Sequence, residues 1–244
     1  MGSISPRLHI KWGSDAASEP TSTLVLTSPG RFFVDIRVLR SVLDESRTSS
    51  RDAGSPLQLS PEQLDWAIGG TSTSIDLPTQ PDGTTASRST FHHWVSNRTL
   101  DADAVADVGD MFPQPDGTTL ETGSMVNPAT GLNTTYEELW DDQEPQPVPG
   151  LPACTVLRQH DDANHTRGLF VQVAQHAQGV LRRGNIFTAE RWLWDRESSR
   201  WEHLFRVGDP QADSLHDLVP ALNTQFHKGQ QMEVPSGTWS VIEV

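Results

Sequence analysis

A chain of 244 residues is long enough for one large β unit or two small ones, and at this size it buries roughly 70% of its unfolded surface. It carries 18 basic residues against 32 acidic ones, a formal charge of −14, and Arg182-Arg183 is its sole adjacent basic pair. Phosphate neutralisation needs clustered Lys and Arg, so neither nucleic acid nor an anionic membrane is expected as a partner. The apolar fraction of 35% is low, so the eight Trp and eight Phe must supply much of the core area. A single cysteine, Cys154, offers no intramolecular disulfide and no thiolate metal cluster. The first twenty residues lack an apolar run of the signal-peptide kind, and no stretch approaches 18 apolar residues. A reducing cytoplasmic, or also nuclear, location is expected.

Strand signals dominate in chain order. Thr23–Leu26 reads as a short strand, and Arg31–Val38 alternates cleanly. Phe32, Val34, Ile36 and Val38 share one face; Phe33, Asp35 and Arg37 share the other, as a half-buried strand requires. Ser41–Ser60, rich in Ser, Arg and Asp, reads as a polar loop. Ser60-Pro61-Glu62-Gln63 has an N-cap, an N1 proline and a glutamine at N3, enough for a short helical turn. Strands follow at Asp65–Gly69, Thr90–Val95, Leu120–Asn127 and Tyr136–Trp140. The hexapeptide Gln-Pro-Asp-Gly-Thr-Thr occurs twice, at 80–85 and 114–119. Proline presets φ, aspartate bonds the following backbone and glycine takes positive φ, so both copies predict tight reversals between strands.

Glu144-Pro145-Gln146-Pro147-Val148-Pro149-Gly150 has the alternating prolines of an extended connector. It divides the chain into residues 1–144, a connector at 145–150 and residues 151–244. Beyond it, strands are expected at Ala153–His160, Gly168–His176, Gly179–Arg183, Phe187–Trp194, Trp201–Val207 and Trp239–Glu243, with a helical turn or two within Asp213–Asn223. Many short strands without helical crossovers predict an all-β protein: two antiparallel barrel-like halves packed together, with little helix.

Several segments resemble the fungal Hri-one family. They are Asp65-Trp66-Ala67-Ile68-Gly69-Gly70-Thr71, the aromatic strand Phe91-His92-His93-Trp94, Glu121-Thr122-Gly123 followed by Pro128, Tyr136-Glu137-Glu138-Leu139-Trp140, Gln178-Gly179-Val180-Leu181 and the ending Trp239-Ser240-Val241-Ile242-Glu243. The resemblance implies a pair of calycin-like or lipocalin-like β units and, from the association for which the family is named, a casein-kinase-type partner. It supplies no catalytic residue set.

No G-x-S-x-G nucleophile elbow occurs. His92 and His93 are neighbours on a strand and point to opposite faces, so they do not chelate one ion; one of them is either packed or a candidate acid–base group. His160-Asp161-Asp162-Ala163-Asn164-His165 has metal-type ligands but the composition of a solvated turn. No metal or other cofactor is expected. Trp66, Phe91, His93, Trp94, Glu121, Trp140, Trp192 and Trp194 are the candidate ligand-binding residues, because aromatics with one polar edge line apolar cavities and also fill cores. Glu121 and Glu138 suit acid–base work, or else pair with an arginine such as Arg31 or Arg37.

Two functional readings follow. One is a barrel that binds an apolar small molecule, as a cofactor-free isomerase or cyclase of pericyclase (Diels-Alderase) type acting on a terpenoid or polyketide of fungal secondary metabolism. It needs neither a nucleophile nor a metal. The other is a non-catalytic interaction protein for the kinase partner, docking through Ser46-Arg47-Thr48-Ser49-Ser50-Arg51. An open, ligand-sized interior favours the first and a filled core the second.

Overall fold

The computed structural model describes residues 2–48, 55–80, 83–209 and 211–244. Strands β1 (Ser3–Trp12), β2 (Thr21–Thr27) and β3 (Phe32–Leu39) lead into helix α1 (Arg40–Thr48) and the short strand β4 (Leu57–Leu59). Then come β5 (Leu64–Asp76), β6 (Ser87–Ser96), β7 (Ala106–Pro113), β8 (Thr119–Val126) and β9 (Asn133–Trp140). Antiparallel pairing in the order β1-β2-β3-β5-β6-β7-β8-β9 closes on itself through β1 and β9, giving an eight-stranded barrel.

The rest of the chain supplies β10 (Cys154–Asp161), β11 (Thr166–Val173), β12 (His176–Arg183), β13 (Ile186–Asp195), β14 (Arg200–Gly208), helix α2 (Leu218–Ala221), β15 (Gln231–Val234) and β16 (Gly237–Glu243). These form an eight-stranded sheet in the order β15-β16-β10-β11-β12-β13-β14-β4. The all-β class with two packed β units is therefore correct. The second unit is a sheet with β15 and β4 at its edges, rather than a second closed barrel.

Ser41–Ser60 is not wholly a loop. It begins inside α1 and contains β4, which crosses to the second sheet and pairs in parallel with β14, Leu57 opposite Phe205 and Leu59 opposite Val207. Leu59 is fully buried there, and so short an apolar signal is invisible beside its polar flanks. Residues 3–12, 106–113 and 231–234, not singled out from the sequence, also prove to be strand. Gly168–His176 is interrupted: β11 ends at Val173, Ala174 takes a φ of +47°, and His176 opens β12.

Both hexapeptides make the same reversal. The Gln80 N–H donates to Thr84 O and the Gly83 N–H to Gln80 O; Gln114, Thr118 and Gly117 repeat the pattern at 2.8 and 3.1 Å. Gly83 and Gly117 have φ of +86° and +90°, the left-handed region glycine enters without penalty. Pro81 and Asp82 lie outside the described residues. The connector is tied to the second sheet, with the Gln146 N–H donating to Gln175 Oε1 at 2.9 Å and Val148 buried.

The main apolar core lies between the two units. Leu24, Leu26, Val34, Ile36, Val38, Ala67 and Val95 project from the outside of the barrel onto Leu169, Val171, Val173, Val180, Ala189 and Val207 of the sheet. At roughly 1.5–3 kcal/mol for each fully buried aliphatic side chain, this layer is the chief adhesive. A buried polar staple crosses it. Gln178 Nε2 donates to Leu24 O and Val34 O at 3.0 and 3.1 Å, while its Oε1 accepts from Arg191 Nε at 2.6 Å. Arg191 also donates to Ile36 O at 2.8 Å, and burial lowers its pKa to about 9. The other face of the sheet has its own core, in which Leu215, Leu218 and Leu222 cover Phe170, Trp192 and Trp239. Among the described residues no helix is long and apolar enough to cross a membrane.

Candidate functional site

With its apolar outer face turned to the sheet, the barrel wall sends its polar face inward. On β3 this is Phe33, Asp35 and Arg37; on β8 and β9 it is Glu121, Gly123, Tyr136, Glu138 and Trp140. The register explains the motif islands. Glu121 lies directly across from Glu138, and Gly123 from both Gly109 and Tyr136. A Cβ at Gly123 would come within 2.5 Å of the Tyr136 ring, and one at Gly109 would strike the Glu121 carboxyl. Two glycines thus make room for a tyrosine and a glutamate inside the barrel.

Below Glu121 lies a buried ionic network. Arg37 Nη1 donates to Glu138 Oε1 at 2.8 Å and Arg37 Nε to Asp35 Oδ2 at 2.9 Å. Arg7 donates to the same Glu138 oxygen, and its Nε reaches Glu19 Oε2 at 2.8 Å. Burial opposes the charge of Arg37, but the Asp35 and Glu138 carboxylates outweigh it and hold the guanidinium pKa above its usual range. Burial likewise pushes the Asp35 carboxyl up. Arg37 lies 4.9 Å from the Trp66 ring centroid and 5.9 Å from that of Trp140, within cation–π range.

Glu121 is the distinctive group. Its Oε1 accepts from the Tyr136 hydroxyl at 2.8 Å and its Oε2 from Trp140 Nε1 at 2.9 Å. Burial and the facing Glu138 charge exceed the lowering effect of Tyr136, Arg37 and Trp140, and its pKa is pushed up to about 7. Tyr136 in turn is raised by burial and by the Glu121 carboxylate, so it stays a hydrogen-bond donor.

Two cavities meet at this carboxyl. A narrow chamber of about 40 Å³ is lined by Phe33, Asp35, Arg37, Trp66, Phe91, Asp107, Glu121, Tyr136, Glu138 and Trp140, among others. It has space for roughly two or three water molecules. A mouth of about 160 Å³ opens above it, sharing Val25, Phe91, Glu121 and Trp140 and ringed by Ser3, Ser5, Thr27, Ser72, Ser89 and Thr119. Asp35 Oδ1 and Trp66 Nε1 are buried without a hydrogen-bond partner among the described residues.

Of the eight candidate residues, the barrel gathers Trp66, Phe91, His93, Glu121 and Trp140. His93 packs edge-on against Trp66 at 6.1 Å, and its Nε2 contacts Asp107 Oδ2 at 2.7 Å. Trp94 faces the other way and lies outside the barrel against His160, Arg158 and Arg167. Trp192 is in the far core of the second sheet, stacked on His203, and Trp194 packs edge-on against Trp201. The residues missed are Arg7, Asp35, Asp107 and Tyr136. Asp35 was on the polar face of a strand whose parity was legible, and Tyr136 is the chain's single tyrosine.

The His160–His165 segment is a turn, in which His160 Nε2 contacts Asp162 Oδ1 at 2.8 Å and Asn164 donates to Asp161. Among the described residues no group of three or more His, Cys, Asp or Glu is placed to hold a metal ion. Of the pair Glu121 and Glu138, it is Glu138 that pairs with Arg37.

A family model described as Protein HRI1 matches residues 3–243. Among solved structures, the chain is similar to an uncharacterised protein, YLR301w, from Saccharomyces cerevisiae. The identity is 17% and the TM-score 0.69, over 100% of this chain and 98% of that one, a likeness of fold. No curated protein matches.

Proposed function

Starting from the fact that this chain belongs to the Protein HRI1 family, we propose that it is a small-molecule-binding barrel that takes one compact ligand through the hydroxyl-ringed mouth. The observation that carries this reading is Glu121, a buried carboxyl at the junction of mouth and chamber, held by Tyr136 and Trp140 with a pKa of about 7. Such a group exchanges a proton near neutral pH, which is the minimum equipment of a cofactor-free isomerase. The dimensions favour a compact ligand over a folded terpenoid or polyketide. Pockets for drug-sized molecules occupy roughly 300–1,000 Å³, whereas the mouth offers about 160 Å³ and the chamber about 40 Å³.

Trp66 and Trp140 line the cavities and report directly on occupancy. Fluorescence quenching by a panel of compact metabolites, followed by product analysis of each binder, tests the reading. Saturable quenching that a mouth-filling Val25→Phe variant abolishes supports it, and a changed product makes the protein an isomerase. No saturable quenching by any compound defeats it.

The alternative is a non-catalytic interaction protein for a casein-kinase-type partner in the cytoplasm or nucleus. The free, buried Cys154 is in keeping with a reducing compartment. Of its proposed docking segment, Ser49, Ser50 and Arg51 lie outside the described residues. Co-purification of a kinase with the full chain, lost on deleting residues 46–51, would favour it.

A further inference from the structure

The chamber's lining is unequal in charge. Among the described lining residues, the Arg37 guanidinium faces four carboxyl groups, Asp35, Asp107, Glu121 and Glu138, and Arg7 reaches the same Glu138 from outside the chamber. Asp35 Oδ1 is an acceptor with no donor among the described residues, on a residue 4% exposed that lines the chamber. Buried acceptors without partners are costly, and a net negative buried site is costlier still. What the site lacks is a donor-rich positive group.

We propose that the chamber binds the head of a small primary amine in its ammonium form, with a short stem lying in the mouth. This deepens the compact-ligand reading and rests on it. Size selects the primary head. An –NH3+ group is close to a water molecule in bulk, and the chamber holds about 40 Å³; a trimethylammonium head overfills it. Chemistry selects it too. Three N–H donors match the acceptors of Asp35, Glu121 and Glu138, which line one small space. The aromatic walls already accept a cation, since the Arg37 guanidinium lies over Trp66 and Trp140. At the rim, Arg31 and Asp142 carry opposite charges, so entry is not closed to a cation. Asp142 there accepts from Ser5 at 2.6 Å and from Thr119 at 2.8 Å.

The test is calorimetric titration of the full chain with four probes of one stem length: n-butylamine, 1-butanol, butyrate and butyltrimethylammonium. Butylamine is expected to bind saturably and at least about tenfold more tightly than each of the others. Glu121→Gln should weaken butylamine by about tenfold or more and 1-butanol by much less, with the far-ultraviolet dichroism of the variant matching wild type. An Nα-acetyl-lysine amide arm identifies the source: binding as tight as butylamine assigns the head to a lysine side chain, weaker binding to a free amine. Equal or tighter binding of butanol or butyrate overturns the ammonium proposal while sustaining a compact ligand. Preference for butyltrimethylammonium overturns the primary head. Binding by none of the four overturns the ammonium proposal as well, and the wider quenching panel then decides separately whether any compact ligand binds.

Discussion

Glu137 and Glu138 are neighbours on β9 whose removal should have very unequal consequences. Glu138 points inward with its side chain 2% exposed and accepts from both Arg7 and Arg37, whose side chains are 2% and 9% exposed. Truncation to alanine removes the acceptor that two buried guanidiniums share, leaving Arg7 only Glu19 and Arg37 only Asp35 as carboxylate partners among the described residues. Breaking a buried pair from one side costs about 3–5 kcal/mol. For a chain of this size each kcal/mol shifts Tm by about 2–4 °C, so Glu138→Ala should lower it by roughly 6–20 °C. Glu137 points outward and pairs with Lys11 at 3.1 Å, with side chains 44% and 34% exposed. Water and salt already screen that pair, and Glu137→Ala should cost about 0–1 kcal/mol. Glu138→Gln, which keeps an acceptor oxygen but removes the charge, should fall between. Thermal melts followed by tryptophan emission, with urea melts at 25 °C as a check, read all three. If Glu138→Ala melts no lower than Glu137→Ala, the internal network contributes nothing to stability and the ionic account of the barrel interior is wrong.

Glu121 makes stability depend on pH with a definite sign. Its folded pKa of about 7 lies above the ordinary carboxyl value of 4.5, so the folded state binds more protons than the unfolded state between those values. Stability should therefore decline as pH rises from about 4.5 through 7, and Glu121→Gln should flatten that limb in urea melts across the range. Gly123→Ala should displace the Tyr136 ring, and a crystal structure or melting curve indistinguishable from wild type would contradict the packing drawn for β8 and β9. Burial, with the Glu243 charge second, raises the Cys154 thiol to about 12. It should stay unreactive toward a disulfide reagent at pH 8 and titrate only on unfolding, so prompt labelling of native protein would count against this burial. Gln178→Leu leaves Leu24 O, Val34 O and Arg191 without their partner. At about 1–3 kcal/mol for each stranded buried group it should loosen the sheet from the barrel, measurable as faster hydrogen exchange in β2 and β3.

The amino-acid sequence alone determined the class of the fold, most of its strands and both Gln-Pro-Asp-Gly-Thr-Thr reversals. All of these rest on local rules: period two, glycine at positive φ, and proline at the start of a turn. It also determined the two faces of β3, and it placed Glu121 and Trp140 among the candidates. Tertiary structure decided which face is the inside. In an isolated barrel the apolar face of Val34, Ile36 and Val38 would fill the interior; here a second sheet covers the wall, that face packs against it, and Asp35 and Arg37 turn inward to form the site. Parity along a strand marks two faces but carries no information about what lies opposite either one. For the same reason Trp94, Trp192 and Trp194 looked like Trp66 and Trp140 in the sequence. One strand's spacing cannot distinguish a ring inside the barrel from a ring in the far core of the sheet. The placement of β4 beside β14 was equally out of reach, because a three-residue pairing across some 150 positions of chain leaves no local period to read.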